Sequence, residues 1–508
     1  MNNQKRVSEI ITIEEIKKWT CKDIITISAG TGVGKSYFIK NILYAFAKQK
    51  NKKILYLIHR RNCIDQFQKE INKDNKSDII NIISYQKLET YWKNNKNFDF
   101  NEYQYIVNDE FHYFLGDSQY NHFSDISLNI ILNQTNKIKI FMSATGNSMK
   151  KYINEHKKLK TKDYNIPIKF NFIKELIFFH KDKTIEEFIK ECINSKKKDK
   201  CIFFIQSADK AYKLYQKYKK YCVFNCGKSD KHYKYVDIKK IDQILIKCKF
   251  EEKILITTTC MDSGVNILDS QVKHIICDIK DIDVLIQCIG RKRQINNTDK
   301  SYIYIKTISN KQLGGIKSQI YKKMNMAKYF KENGLQQFID KYPRESDNTS
   351  MLYDIQINEN DKCSKQINEL MYFKCQLDIE KINDMLEYGK FGYCNYLIKL
   401  FNYKNKNNKE KYILLDENYE IDLKDYLNSI IGLKLFTNEK KELIDKINLR
   451  DNKNRQQKSI SLLNAYLKEN KLPYIIDNQI DNKRKINNNN NPNYKKSYWI
   501  IGKIDYKK

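Results

Sequence analysis

The sequence predicts an α/β protein in which two tandem parallel-sheet domains, residues 1–165 and 166–311, precede a mainly helical accessory domain, residues 312–508. From residue 20 to 310, short β-branched runs alternate with longer amphipathic stretches, which is the pattern of strand–helix–strand units. Most of these runs are almost continuously apolar, as expected for strands that are covered on both faces. The basic, polar stretch Lys150–Asn165 separates two series of such runs and is therefore the predicted boundary.

The predicted strands form two series. The first series consists of Ile24–Ser28, Ile54–Ile58, Ile79–Ser84, Tyr105–Val107 and Lys139–Met142. The second consists of Cys201–Ile205, Tyr221–Phe224, Lys253–Thr257, His274–Cys277 and Tyr302–Lys306. Beyond residue 312 the pattern is mainly helical, with helices predicted at Gln366–Leu377 and Thr437–Leu449. Asn487–Asn491 is a polar, low-complexity break, and the closing segment YKKSYWIIGKIDYKK predicts a short strand or hairpin.

Composition limits the class of protein. With 508 residues the chain is long enough for about three domains, and because 41% of its residues are hydrophobic we expect most of it to fold. We expect no membrane span, because no run of about 20 apolar residues occurs. The N-terminal MNNQKRVSEI lacks the apolar core of a signal peptide, so we expect a cytoplasmic protein. The thirteen cysteines include no C-x-x-C pair, which favours reduced thiols over a zinc or iron–sulfur site.

The chain is strongly basic, with 93 Lys and Arg against 61 Asp and Glu, a formal net charge of +32. Such a charge suits a polyanionic partner, although a genome rich in A and T also enriches Lys, Asn, Ile and Tyr. Arginine is the sharper indicator, because only nine arginines are present beside 84 lysines. Four of the nine form the close pairs Arg60/Arg61 and Arg291/Arg293, and a planar guanidinium suits phosphate.

The segment AGTGVGKS, Ala29–Ser36, directly follows the predicted strand IITIS. A Gly-rich turn between a strand and a helix lets backbone N–H groups approach phosphate oxygens, and the helix N-terminus adds partial positive charge. In such a phosphate loop, Lys35 reaches the β- and γ-phosphates of ATP, and Ser36 offers its hydroxyl to Mg²⁺. The residues predicted to bind the nucleotide here are Gly30, Thr31, Gly32, Val33, Gly34, Lys35 and Ser36.

A second segment, YIVNDEFH, carries adjacent carboxylates at the end of a hydrophobic strand. Ligands of parallel sheets bind at the carboxyl ends of strands, so this pair is expected beside the phosphate loop. Asp109 is predicted to hold Mg²⁺, directly or through water. Glu110 is predicted to orient the attacking water or accept its proton.

These segments, followed by SAT at residues 143–145, resemble motifs I, II and III of the superfamily 2 DExH-box helicases. TTTCMDSGVNI at residues 257–267 resembles motif V, and QCIGRKRQ at residues 287–294 resembles motif VI. LIHRRNCIDQ and ISYQKL resemble motifs Ia and Ib. The resemblance covers about residues 20–310. It implies two RecA-like domains of the P-loop NTPase type that bind ATP and Mg²⁺, hydrolyse ATP between them and act on nucleic acid.

The resemblance also implies the catalytic residues, which are Lys35, Glu110, Gln287, Arg291 and Arg293. Asp262 of motif V would lie near the nucleotide. Arginines of motif VI would reach the transferred phosphoryl group when the two domains close, which makes hydrolysis conditional on closure. The family pattern Q-R-x-G-R-x-G-R places its last Arg at position 294, where this sequence has Gln294. Arg291 is therefore the first choice of arginine finger, and Arg293 is the second.

By the same resemblance, His112, Ser143 and Thr145 couple the ATP site to nucleic-acid binding. The residues expected to contact the nucleic-acid backbone are Arg60 and Arg61 of motif Ia, Ser84 and Tyr85 of motif Ib, and Thr258 of motif V. Such contacts fix position and carry no base specificity. The alternative for His112 is a packed core residue, and for the arginine pair an ordinary surface position.

The leading hypothesis is an ATP-dependent helicase or translocase. The wording DEFHYF and SATGNSM also resembles DExH proteins of low-GC Gram-positive bacteria and their mobile elements, which favours DNA over RNA as the partner. Two alternatives are a duplex translocase that does not separate strands and an ATP-gated nucleic-acid clamp with little turnover. Glu110 argues against the clamp, because a clamp has no use for a group that activates water. A small-molecule kinase would leave motifs V and VI unexplained.

Overall fold

The computed structural model describes residues 5–30, 32–121, 123–261, 265–296, 298–343, 351–356, 363–404, 412–415, 423–450, 455–470, 472–486 and 489–504. By compactness the chain divides into a first unit, Met1–Asp416, and a second unit, Glu417–Lys508. Each unit has its own hydrophobic core.

The first sheet consists of strands that are mostly buried on both faces. Its strands are β1 (Ile24–Ala29), β2 (Lys53–Ile58), β3 (Ile80–Ser84), β4 (Tyr103–Asp109), β5 (Ile138–Ser143) and β6 (Lys162–Ile166). All described pairings are parallel, in the order β3-β2-β4-β5-β1-β6. The first series of predicted strands is confirmed. Because β5 lies between β4 and β1, the carboxyl ends of these three strands meet at one edge of the sheet.

Helices cover both faces of this sheet. They are α1 (Val7–Ile10), α2 (Ile13–Ile16), α3 (Lys35–Tyr37), α4 (Tyr44–Gln49), α5 (Arg61–Lys73), α6 (Tyr85–Lys93), α7 (Tyr113–Gly116), α8 (Ser124–Leu132) and α9 (Asn147–Lys151). A π-helical segment, Phe38–Leu43, joins α3 to α4, and a second one, Tyr152–His156, continues α9. Phe38 and Leu43 pack on one face of the sheet, whereas Leu128 and Ile131 pack on the other.

Strand β6 lies in the stretch that the sequence predicted to separate the two sheets. It pairs with β1 at the edge of the first sheet, so residues 162–165 belong to that sheet rather than to a connection. Of the five residues in β6, Ile166 is the buried one. An edge strand with one exposed face needs no continuous apolar run, and the signal that revealed the central strands is therefore missing here.

The second sheet has the same parallel character. Its strands are β7 (Ile173–Phe179), β8 (Lys200–Ile205), β9 (Cys222–Asn225), β10 (Ile254–Thr257), β11 (Val272–Asp278) and β12 (Ser301–Lys306), in the order β7-β12-β11-β8-β10-β9. The associated helices are α10 (Asp182–Asn194), α11 (Ala208–Tyr218), α12 (Ile238–Lys247) and α13 (Ile282–Ile289). The second series of predicted strands is confirmed, and β7 is an addition that the sequence pattern did not reveal. The predicted fold class, two tandem RecA-like parallel-sheet domains, is confirmed.

The chain then becomes mainly helical, as predicted. The first unit ends with α14 (Asn310–Lys341), β13 (Leu352–Gln356), β14 (Cys363–Ile367), α15 (Glu369–Glu387), α16 (Gly392–Phe401) and β15 (Ile413–Leu414). The helix predicted at Gln366–Leu377 begins later than expected, because residues 366 and 367 pair with β13 in an antiparallel hairpin. Strand β15 adds to the second sheet beside β7.

Helix α15 packs against both sheet domains. Its Leu370, Phe373 and Leu377 lie in a core of the first sheet, whereas Ile382 and Met385 lie in the core of the second. One ion pair joins the helix to each sheet domain. Glu380 Oε2 lies 2.8 Å from Lys151 Nζ of the first domain, and Lys381 Nζ lies 2.9 Å from Asp283 Oδ2 of the second. The helix therefore holds the two sheet domains together.

The second unit is a small mixed domain. Its elements are α17 (Leu423–Ser429), α18 (Thr437–Ile447), α19 (Ile460–Glu469), β16 (Tyr474–Ile480), β17 (Lys485–Ile486), β18 (Asn489–Asn490) and β19 (Ser497–Lys503). β16 pairs with β19 and β17 with β18, both antiparallel. Leu443, Leu463 and Trp499 share one core, which joins the helices to the hairpin. The strand predicted near the end of the chain and the helix at Thr437 are both observed.

Among the described residues, no helix is both long and apolar enough to cross a membrane. The domain boundaries at 165/166 and 311/312 stay predictions. The first unit extends to Asp416, so α14, α15 and α16 lie in the same compact unit as the two sheets.

Candidate ATP site and nucleic-acid contacts

The Gly-rich loop after β1 has the backbone that a phosphate loop requires. Gly32 and Gly34 have φ angles of 87° and 90°, in the left-handed region that favours glycine. Gly34 is the N-cap of α3, and the π-helical segment and α4 continue this helix as far as Gln49. The first backbone N–H groups of this helix therefore lie at the end of the loop, where they can donate to phosphate oxygens.

Lys35 is the first residue of α3, at the end of the loop, and is 8% exposed. Its Nζ donates to the carbonyl oxygens of Ala29, at 2.8 Å, and Gly30, at 3.3 Å. Burial lowers the pKa of Lys35, whereas the negative charges of Glu110 and Asp109 act in the opposite direction. The ammonium group and the two carboxylates therefore form one charge cluster.

Asp109 and Glu110 follow β4, as predicted, and their environments differ. The Tyr56 hydroxyl donates to Asp109 Oδ2, and the Glu110 N–H donates to Asp109 Oδ1 at 3.0 Å. Burial and the neighbouring charge of Glu110 raise the pKa of Asp109 to about 6. Burial alone would raise the pKa of Glu110, but the hydrogen bond with His112 and the charge of Lys35 lower it below its ordinary value. Glu110 is therefore ionised, and a cation would stabilise the ionised form of the neighbouring Asp109.

The donor set at this edge fits Mg²⁺. Asp109 supplies a buried carboxylate and Ser36 an exposed hydroxyl, and both line the same cleft. Magnesium prefers such hard oxygen ligands and commonly takes one or two carboxylates together with phosphate oxygens. A divalent cation would also compensate the buried negative charge of Asp109.

A chain of hydrogen bonds leads from Glu110 to the second sheet domain. His112 Nδ1 lies 2.8 Å from Ser143 Oγ and 3.3 Å from Glu110 Oε2. Ser143 Oγ accepts the N–H of Thr145 at 3.0 Å. From the second domain, Gln287 Nε2 donates to Thr145 Oγ1 at 2.8 Å and to His112 Nε2 at 3.0 Å. The three predicted coupling residues therefore meet Gln287 in one network.

The two arginines after α13 face the phosphate loop from the second domain. A Cβ placed on Gly32 would lie 3.4 Å from Arg293 Nη1, so this guanidinium lies against the loop. Arg293 Nε donates to Asn266 Oδ1 at 2.8 Å. Arg291 is 4% exposed, and its Nε and Nη2 are buried without a hydrogen-bond partner. Burial and the charge of Arg291 lower the pKa of Arg293, although a guanidinium stays protonated at neutral pH.

These groups line a single cleft of about 750 Å³ between the two sheets. Its lining combines the phosphate loop, Asp109 and Glu110 with Gln287 and both arginines. The volume lies in the range of cofactor-sized pockets. Phe170 and Phe172, which join the two sheets in the chain, add an aromatic wall.

The residues expected to contact nucleic acid differ in how exposed they are. Arg60 is half-buried and its Nε donates to His59 Nε2 at 3.0 Å. Ser84 is the N-cap of α6, and Thr258 is 6% exposed. Tyr85 requires a correction, because its ring is completely buried and offers no surface to a polymer. Its hydroxyl instead donates to the carbonyl oxygen of Asp109 at 2.9 Å, which stabilises the end of β4.

Some predicted residues lie outside the described part of the chain. These are Thr31, Asp262 and the side chain of Arg61. Conversely, sequence reasoning missed Tyr56 on β2 and Asn266. Nothing in the local pattern marks Tyr56, whose contact with Asp109 depends on the pairing of β2 with β4. Asn266 lies in the segment that resembles motif V, and its bond to Arg293 depends on how that segment meets motif VI in the fold.

One family model matches the N-terminal part of the chain. Residues 2–148 match a family model described as "Type III restriction enzyme, res subunit". The matched residues span most of the first sheet domain. The comparison with curated proteins gives no match.

Several solved helicase structures are similar in part. Mss116p bound to ssRNA and AMP-PNP has 18% identity and a TM-score of 0.42, over 56% of this chain and 66% of that one. S. cerevisiae Dbp5 bound to RNA and ADP BeF3 has 14% identity and a TM-score of 0.42, over 58% of this chain and 83% of that one. Mycobacterium smegmatis helicase Lhr bound to ssDNA and AMP-PNP has 12% identity and a TM-score of 0.42, over 60% of this chain and 46% of that one. This chain thus spans less than two thirds of the length of the Mss116p and Lhr chains.

Proposed function

We propose that this protein is an ATP-driven nucleic-acid motor, a helicase or translocase that acts on DNA more readily than on RNA. The observation that carries the proposal is the composition of the cleft. The first domain contributes a phosphate loop and an acidic pair, and the second contributes Arg291, Arg293 and Gln287. A nucleotide bound there would contact both domains, so its hydrolysis would change their mutual attraction.

The environments of the side chains support a division of roles. Lys35 would bind the β- and γ-phosphates, while Asp109 and Ser36 would hold Mg²⁺, which neutralises phosphate charge. Glu110, ionised at neutral pH, would orient water or accept its proton. Arg291 would act as the arginine finger, because its Nε and Nη2 are buried without a partner, whereas Arg293 Nε is already bound to Asn266.

The network around His112 supports coupling between ATP and nucleic acid. It joins Glu110 to Gln287 across the cleft, so a shift of one domain would move the group that faces the attacking water. Arg60 and Ser84 are partly exposed and would contact the phosphate backbone, whereas Thr258 is only 6% exposed. The net charge of +32 supports a polyanionic partner, and the resemblance to proteins of mobile elements favours DNA.

Steady-state ATP hydrolysis tests the proposal. The rate is measured without polymer and then with single-stranded DNA, duplex DNA, single-stranded RNA or duplex RNA. We expect one polymer to stimulate the wild-type protein strongly, and Glu110→Gln and Lys35→Ala to abolish the stimulated rate. Glu102→Gln is the matched control, because Glu102 forms an exposed pair with Lys53 at 2.9 Å.

The outcomes separate the candidate functions. Stimulation by a polymer with strand separation supports a helicase, and stimulation without separation supports a duplex translocase. No hydrolysis under any condition, together with ATP-dependent binding of nucleic acid, would contradict the motor and favour the clamp. Phosphate transfer to a small molecule without stimulation by nucleic acid would contradict both.

A further inference from the structure

The second unit has the element order of a winged-helix domain. Helix α17 is followed by an extended segment whose Ile431 and Leu435 form β-bridges with Ile501 and Trp499 of β19. Helices α18 and α19 come next, and the antiparallel pair β16 and β19 closes the unit. Two successive helices on a shared core, followed by a protruding hairpin, form a scaffold suited to a nucleic-acid duplex.

The described part of the connection between β16 and β19 forms a two-stranded ribbon. We call it the wing, defined by residues 481–486 and 489–496. β17 pairs with β18 inside it, and Asn491 holds its two sides together. The Asn491 N–H donates to the carbonyl oxygen of Arg484 at 2.9 Å, and its Nδ2 donates to that of Lys483 at 2.7 Å. The Lys495 N–H donates to the carbonyl oxygen of Asp481 at 2.7 Å.

The wing concentrates positive charge. From residue 482 to 496 the sequence contains no Asp or Glu, and its five cations are Lys483, Arg484, Lys485, Lys495 and Lys496. All five are exposed. The acid at the base of the wing, Asp481, is 2% exposed and its Oδ2 lies 2.9 Å from Lys434 Nζ, so it is already compensated. Nothing in this segment therefore neutralises the five cations.

We infer that the wing binds the phosphate backbone of a nucleic-acid duplex. This inference rests on the proposed function and gives the motor a contact outside its two sheet domains. A two-stranded β-ribbon fits the major groove of a duplex, which is about 12 Å wide. Surfaces for single strands instead present free aromatic faces for base stacking.

The aromatic rings around the described wing do not provide such faces. Tyr494 is engaged by Arg484, whose Nε donates to its hydroxyl at 3.1 Å and whose guanidinium carbon lies 5.7 Å from the ring centroid. Tyr498 and Trp499 are buried at the base. The wing thus offers phosphate contacts on a hydrogen-bonded ribbon and favours the duplex.

The test uses the full chain and compares two charge-matched double variants. Lys483→Gln with Lys485→Gln removes two cations from the wing. Lys441→Gln with Lys446→Gln removes two exposed cations from α18 in the same unit and serves as the control. Binding of a labelled DNA duplex and of a single strand of equal length is measured by fluorescence anisotropy between about 50 and 200 mM salt.

We expect the wing variant to bind the duplex more weakly and to lower the slope of log K against log salt by about 2 in magnitude. The ratio of wild-type to variant affinity for the duplex should fall about ten-fold as salt rises from about 50 to 200 mM. The control should keep the wild-type slope. Single-strand binding should stay unchanged in both variants, as should the maximal rate of ATP hydrolysis at saturating polymer.

Equal duplex affinity and slope in wild type and wing variant would overturn the inference. A loss confined to single strands, or equal for both polymers, would overturn its duplex assignment. Failure of the proposed function is distinguishable, because no polymer would then stimulate ATP hydrolysis by the wild-type protein. Circular dichroism of both variants checks that the second unit remains folded.

Discussion

The contact of Gln287 with His112 and Thr145 joins the two sheet domains, and its removal should slow ATP hydrolysis. Gln287 is 2% exposed, and its Nε2 makes hydrogen bonds of 2.8 and 3.0 Å to the first domain. A net hydrogen bond contributes about 0.5–1.5 kcal/mol, so Gln287→Ala should lose about 1–3 kcal/mol. If the contact forms in the transition state, this loss corresponds to about 5- to 150-fold in kcat.

A double-mutant cycle isolates the contact itself. Gln287→Ala, His112→Ala and the double variant are compared by kcat of polymer-stimulated ATP hydrolysis. A coupling energy of about 1 kcal/mol makes the double variant about five-fold faster than the product of the single effects predicts. Asn81→Ala is the control partner. It removes a hydrogen bond to Tyr103 that includes no residue of the His112 network, so its effect should add to that of Gln287→Ala.

Strict additivity between His112→Ala and Gln287→Ala would refute the network as a coupling route. A thermal shift large enough to unfold either variant at the assay temperature would make the rates a measure of stability instead. Melting curves with and without ATP therefore accompany the kinetics.

Three further predictions concern the same site. Arg291→Ala should keep ATP affinity and lower kcat by about 10³-fold or more, with a smaller effect for Arg293→Ala; equal losses of affinity and rate, measured by nucleotide titration and turnover, would argue against an arginine finger. Burial and the charge of Glu110 raise the pKa of Asp109 to about 6, so its ionisation destabilises the folded protein as pH rises. In denaturant unfolding, the free energy of unfolding of Asp109→Asn should therefore rise by about 2 to 3 kcal/mol relative to that of the wild type between about pH 4 and 7. A difference between the two proteins that does not change with pH would contradict the assignment. Gly146→Ala should destabilise the protein by about 1–3 kcal/mol, because its Cβ would lie 2.4 Å from the Phe111 ring; an unchanged melting temperature would show that the ring can move.

The central strands were predictable because they are buried on both faces, which produces continuous apolar runs. Edge strand β6 was not, since its exposed positions carry Lys162, Asp163 and Asn165. β7 was missed for a related reason, because Lys174 and Glu175 interrupt its apolar run. The wing was predicted as a polar break. Composition shows that residues 487–491 are asparagines, but it does not reveal that Asn491 bonds across a ribbon.

At the candidate site, local motifs predicted which residues gather but not how they interact. The phosphate loop and the acidic pair each follow one strand, so their position is a local property of the chain. The bond from Gln287 to His112 spans 175 residues and depends on how the two sheets pack. The burial of Tyr85 likewise follows from the stacking of its ring on Tyr113, with centroids 5.2 Å apart, which the sequence does not encode locally.

Helix α15 acts as a tether between the two sheet domains. Its first half is fixed by Phe373 and Leu377 to one sheet domain, and its second half by Ile382 and Met385 to the other. Pulling Ile382 and Met385 out of their core would cost about 3–6 kcal/mol. Wide separation of the two sheet domains would break one of these contacts and is therefore unfavourable. A rotation about the helix that keeps both contacts costs less.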